Sequence, residues 1–204
     1  MIASNIFLNA GWGLIAPIFA IFILKNIAVG DASEGVKIAG FATLTYWLVK
    51  SILQIPIGRY LDKKKGERDD YWFMVVGLFL SGMAPFGFIL SSQAWHIYFF
   101  EIIHGAGMAL AVVAWYTIFT RHIDKGREGL AWSLQSTFLG LAAGIAGAVG
   151  GVLAAFAGFQ AILAAVGGLT IASSFLLLLI RKQIVGNSKT NTPIARSDAP
   201  FLVI

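Results

Sequence analysis

The stretch GRYLDKKKGERDD, residues 58–70, is the densest cluster of charge in a chain that is otherwise mostly apolar. It separates two hydrophobic runs, at 38–57 and 71–90, each long enough to cross a bilayer as a helix. A short polar segment between two such runs is typical of the connection between membrane-spanning helices. Because cytoplasmic loops of membrane proteins are rich in Lys and Arg, the basic residues of this stretch predict a cytoplasmic loop. They are Arg59, Lys63, Lys64, Lys65 and Arg68.

The overall composition indicates the same class of protein. Of 204 residues, 58% are hydrophobic and only 12% are charged, which is typical of an integral membrane protein. The net charge of +5 does not indicate nucleic-acid binding, because the basic residues concentrate at the borders of the hydrophobic runs. The chain has no cysteine, which excludes disulfides and cysteine metal sites.

The hydrophobic pattern predicts an all-α transmembrane domain at 1–182 and a disordered cytoplasmic tail at 183–204. Twelve of the 15 Lys and Arg residues follow the second, fourth and sixth apolar runs. This asymmetry predicts a protein of the cell (inner) membrane with both termini in the cytoplasm. The six predicted spans are about 1–24, 38–57, 71–90, 95–120, 130–156 and 159–180.

The charged stretch also carries a motif. Gly58, then Asp62 and Lys63, then a basic run and Gly66 resemble the signature between the second and third helices of the major facilitator superfamily. The position agrees with that family, since the motif follows the second of six predicted spans.

Two later spans extend the resemblance over nearly the whole chain. EIIHGAG at 101–107 resembles the family's helix-four motif, with Glu101 where many proton-coupled members have an arginine. GVLAAFAGFQAIL at 151–163 resembles the junction between the family's fifth and sixth helices.

The resemblance implies one six-helix half of a standard twelve-helix member, built from 3+3 inverted repeats. Two copies in the same orientation would imitate the two halves of a full transporter. We therefore expect a half-size secondary transporter that moves an unidentified small solute, with protons as a candidate coupling ion, by alternating access as a homodimer. A non-transporting binding or assembly module and half of a heteromeric transporter stay open as alternatives. Neither His-Glu-x-x-His nor Gly-x-Ser-x-Gly occurs, so we expect no enzyme activity and no cofactor.

Candidate substrate and coupling residues are polar groups inside the spans, which are costly in a bilayer. Tyr46, Lys50 and Gln54 share one face of span two, although Lys50 is also close enough to the cytoplasm to snorkel. Glu101 and His104 share a face of span four, where they could carry a proton or bind a cation. Alternatively, Glu101 pairs with Lys50 or His104 and only orients the helices.

Span one adds Asn9, which lies on one face with Asn5 and Trp12. The resemblance favours Asn9 because the family's first and fourth helices line the substrate path. Interhelical hydrogen bonding explains the asparagines equally well. The Glu-x-x-His spacing of 101 and 104 lacks the second copy and further Glu ligands of di-iron bundles, so we expect no metal site.

Two further sets have expected structural roles. The resemblance implies that Asp62 helps to hold a cytoplasmic gate shut, with Arg121 as a candidate partner and with Gly58 and Lys63 in the same gating loop. The second set lies within a narrow face of span five and predicts close helix packing: Gly140, Gly144, Gly147 and Gly151.

Overall fold

A computed structural model describes residues 2–64 and 67–179, apart from the side chains of residues 2–10, 16, 17 and 179. The described residues form only helices, as the sequence predicts. Helices α2 to α6 are each long and apolar enough to cross a membrane. The predicted tail at 183–204 lies outside the described residues. In chain order the helices are α1 (Ile2–Asn26), α2 (Ala32–Lys63), α3 (Glu67–Ile89), α4 (Ala94–Arg121), α5 (Glu128–Ala157) and α6 (Phe159–Leu179).

The charged stretch at 58–70 is mostly helical, unlike the loop that its polarity predicts. Helix α2 continues through Lys63, and α3 begins at Glu67. The change in hydropathy marks only where the apolar segment ends. The helix itself can continue into water, provided that the free backbone groups at its end find hydrogen-bond partners. The backbone N–H of Lys64 caps α2 by donating to Leu61 O, and three acidic residues in the first turn of α3 suit its dipole.

The other end of α2 is capped by a side chain. Asp31 Oδ1 accepts a hydrogen bond of 2.9 Å from the backbone N–H of Glu34. An aspartate at this position satisfies one of the free N–H groups at a helix start. The helix therefore begins well before the apolar run predicted at 38–57.

The helices pack in a paired pattern. Helix α1 lies along α5, α4 lies along α2, and α3 contacts both α4 and α6. One apolar cluster joins α1, α2, α3, α4 and α6 around Phe22 and Phe88, and a second joins α2, α3, α4 and α6 around Tyr71. In the most apolar window of each helix, 11% of residues are buried in α2 and α5, against 56% in α3 and 50% in α4. Helices α2 and α5 are therefore the least covered of these four.

Three of the four glycines that were predicted to pack α5 make no close contact within the described chain. A Cβ added at Gly140, Gly144 or Gly151 would meet no atom within 4 Å, and Gly147 is half-buried. Helix α5 instead packs through Gly150, where a Cβ would collide with the backbone of Leu14 in α1. The spacing of the four glycines predicted a face for close helix packing. The face of α5 that packs against α1 is instead the neighbouring one, which carries Gly150.

Candidate functional site

A cavity of ≈430 Å³ lies against α1, α2 and α4, with single contributions from α3 and α5. Aromatic and aliphatic side chains form most of its wall. The polar or charged side chains among the lining residues include Trp12, Tyr46, Lys50, Glu101 and His104, together with Thr43 and Tyr116. The structure thus brings four of the six predicted substrate and coupling residues to one cavity.

Helix α4 contributes a buried acid and imidazole. Glu101 and His104 are 6% and 7% exposed, and Glu101 Oε2 lies 3.1 Å from His104 Nδ1. One helical turn separates them, so both side chains lie on the same face. The other imidazole nitrogen, Nε2, is buried without a hydrogen-bond partner among the described residues.

Aromatic contacts hold the His104 ring in place. The indole of Trp12 stacks on it with ring centroids 3.7 Å apart and planes 13° apart, and the Tyr46 ring lies 4.5 Å away. This cluster connects α1, α2 and α4. Trp12 Nε1 is a second buried nitrogen that has no hydrogen-bond partner in the described part of the chain.

Lys50 is buried in the same wall and is 9% exposed. Its Nζ donates to the hydroxyl of Tyr46 at 3.1 Å and lies 4.6 Å from the ring centroid of Trp47. Cation–π contact stabilises an ammonium group at that distance. The side chain therefore lies among aromatic groups instead of snorkelling, and none of the ion pairs within 2–64 and 67–179 includes it.

A glycine in α4 sets the spacing between the two helices that carry most of these groups. A Cβ at Gly105 would lie 2.8 Å from the carbonyl oxygen of Tyr46, which is closer than real Cβ contacts. Only glycine allows the backbones of α2 and α4 to approach this closely. Tyr46 and Lys50 are thereby brought beside Glu101 and His104.

Of the two remaining substrate candidates, one lies away from this wall and the other has a side chain outside the described residues. Gln54 is half-buried, one turn beyond Lys50, and does not line the cavity. The side chain of Asn9 lies outside the described part of the structure. Trp12, which was predicted on the same face of α1 as Asn9, does line the cavity.

Arg121 forms its ion pair with Asp70 and not with Asp62. Its Nη1 donates to Asp70 Oδ2, and Nη2 lies 3.3 Å from the carbonyl oxygens of both Leu61 and Lys64. Asp62 is exposed on the last turn of α2. Because α3 and α4 pack closely together, the first turn of α3 carries Asp70 to the end of α4.

The other two gating residues occupy different environments. Gly58 is half-buried, and a Cβ there would contact Val113 of α4 at 3.7 Å, whereas Lys63 is exposed. Asp70 was not among the residues predicted from the sequence. Its signal was an acidic residue directly before an apolar run, where a buried carboxylate needs a basic partner.

The sequence profile described as Major Facilitator Superfamily matches residues 1–203, nearly the whole chain. No significantly similar sequence was found among curated proteins.

Proposed function

Because the chain belongs to the Major Facilitator Superfamily, whose members are membrane transporters, we propose that it moves a small solute by alternating access, as a homodimer of six-helix units. The observation that carries the proposal is the cavity that contains Lys50, Glu101 and His104 between apolar helices. Ionisable groups inside a membrane are costly, and they mark solute or ion pathways. Solute binding would shift the populations of inward-open and outward-open states.

The helix packing supports a 3+3 repeat. Exchanging α1–α3 with α4–α6 turns the α1–α5 pair into the α4–α2 pair, and both pairs are extensive. The same exchange maps the α3–α6 contact onto itself and the α3–α4 contact onto α6–α1, which also pack together. Inverted repeats of this kind form each half of this family's transporters.

The uncovered surfaces favour a second copy. Gly40 in α2 and Gly140 and Gly144 in α5 have no atom within 4 Å of an added Cβ in the described chain. A second copy in the same orientation would bring α2 of one copy to α5 of the other. The cavity would then gain a second wall.

Native mass spectrometry in lipid nanodiscs, over a dilution series, tests the homodimer. We expect a dimer that persists on dilution. The chain has no cysteine, so a Gly40→Cys and Gly144→Cys pair on separate copies reports their contact by crosslinking without background. A clean monomer, with no crosslink, would contradict the homodimer.

We further propose that Glu101 and His104 couple transport to protons, since they form a buried acid–imidazole pair on the cavity wall. Glu101→Gln should abolish uptake driven by a pH gradient in proteoliposomes and leave folding intact. Glu34→Gln is the matched control, because Glu34 is exposed and pairs with Lys37 at 3.8 Å. Unchanged pH-driven uptake in Glu101→Gln would refute the coupling role.

The chain is an integral membrane protein. We propose that it resides in the cell membrane with both termini in the cytoplasm. The basic residues that follow the second, fourth and sixth apolar runs support this orientation. A reporter enzyme that is active only outside the cytoplasm should be inactive when it is fused to either terminus. An active fusion at either end would contradict the orientation.

A further inference from the structure

We propose that the cavity takes a small organic anion with a flat apolar body, whose anionic group binds Lys50. The inference rests on the proposed transport function, because it assigns the solute class of that same cavity. It follows from three features of the wall. Within the described residues, these are an ammonium without an ion-pair partner, buried nitrogens without a hydrogen-bond partner, and an aromatic surface.

The first feature is the charge of Lys50. Its Nζ has the Tyr46 hydroxyl and two aromatic rings as neighbours, and it takes part in no ion pair within the described residues. Glu101, the one carboxylate among the described residues of the wall, is bound to His104 Nδ1. A buried ammonium without an ion-pair contact is expensive in an apolar interior, and an anionic ligand would supply that contact.

The second feature is a pair of nitrogens that have no hydrogen-bond partner among the residues that the structure describes. Trp12 Nε1 and His104 Nε2 are both buried, and both residues line the cavity. An indole N–H can only donate, and Nε2 donates when the imidazole is protonated. Together with the Lys50 ammonium, these groups offer donors to a ligand rich in acceptors, as a carboxylate or sulfonate is.

The third feature is the aromatic surface of the wall. Phe19, Trp47, Phe88 and Trp115 are among the residues that surround the polar groups. A volume of ≈430 Å³ lies within the range of small-molecule sites. Aromatic faces also attract cations, but the Lys50 ammonium already lies against Trp47 and would repel a second positive charge.

Three probes of similar size and different charge test the proposal by calorimetric titration in nanodiscs. They are benzenesulfonate, its neutral analogue benzenesulfonamide, and the cation benzylammonium. We expect benzenesulfonate to bind at least about tenfold more tightly than benzenesulfonamide, as a charge-assisted hydrogen bond to lysine implies. Benzylammonium should not compete with it.

Variants assign the preference to one side chain. Lys50→Gln should abolish the difference between sulfonate and sulfonamide, and Lys50→Arg should retain it. Lys37→Gln is the matched control, since Lys37 lies on the same helix, is exposed and pairs with Glu34. The control should bind as the unaltered protein does.

Several results would overturn the proposal. One is benzenesulfonate binding no tighter than the sulfonamide in the unaltered protein, and complete absence of binding counts as this result. Another is a preference that survives in Lys50→Gln. If Lys50→Gln fails to fold, the comparison of probes on the unaltered protein and on Lys50→Arg still decides.

A separate uptake assay in proteoliposomes keeps the two hypotheses apart. Anion binding without benzenesulfonate uptake would support the anion site and contradict transport. Uptake of benzylammonium that benzenesulfonate does not inhibit would support transport and overturn the anion class.

Discussion

Replacing Arg121 should destabilise the chain more than replacing its partner Asp70, because the two side chains differ in their access to water. The Asp70 side chain is 0% exposed and that of Arg121 is 30% exposed. Arg121→Gln leaves a fully buried carboxylate unpaired, and breaking a buried pair in this way costs roughly 3–5 kcal/mol. Asp70→Asn leaves a guanidinium that reaches water and keeps its contacts with two carbonyl groups, so we expect a loss of about 1–2 kcal/mol.

The measurement is the free energy of unfolding from SDS titration in mixed micelles, followed by circular dichroism. The double variant Asp70→Asn, Arg121→Gln should be more stable than Arg121→Gln alone, since it contains no unpaired buried charge. As a control, Lys64→Gln removes an exposed pair with Asp69 at 3.6 Å and should cost less than about 1 kcal/mol. Asp70→Asn proving as destabilising as Arg121→Gln, or costs that simply add in the double variant, would refute this reasoning.

Two further predictions concern helix packing, with the same unfolding assay. Gly105→Ala should destabilise by about 1–3 kcal/mol, because its Cβ would meet the Tyr46 carbonyl, whereas Gly40→Ala, with open space around it, should be neutral or slightly stabilising. Equal effects of the two substitutions would contradict the close approach of α2 and α4. Ser174→Ala removes a buried hydrogen bond of 2.9 Å to the carbonyl of Val75. The free energy of unfolding should fall by about 0.6 kcal/mol, and by about 1.7 kcal/mol at most. A larger loss would contradict this view of the α3–α6 contact.

The sequence predicted the all-helical class because each apolar run must satisfy its own backbone in lipid, which leaves a helix as the simplest solution. It also selected Lys50, Glu101 and His104, since a charge within an apolar run is rare enough to stand out. Those three residues line one cavity in the structure.

Contacts between distant parts of the chain could not be predicted in the same way. The stacking of Trp12 on His104 joins α1 to α4, and no spacing in the sequence specifies it. The choice of Asp70 over Asp62 depends on how α3 meets α4, because both carboxylates lie in the same charged stretch. Likewise, the spacing of the glycines predicted a face on α5, but it could not predict which helix that face contacts. The position of α1 decides which face of α5 is packed.

The position of Lys50 also has a consequence for biosynthesis. Helix α2 has the lowest mean hydropathy of the five helices that qualify as spans, and it carries a buried lysine. A central lysine opposes insertion of a helix by about 2.5–3.5 kcal/mol. Its principal packing partner, α4, follows later in the chain, so α2 enters the bilayer before the helix that packs against it has been made. Lys50→Leu should ease that entry, and the same change would remove the ammonium that we assign to solute binding.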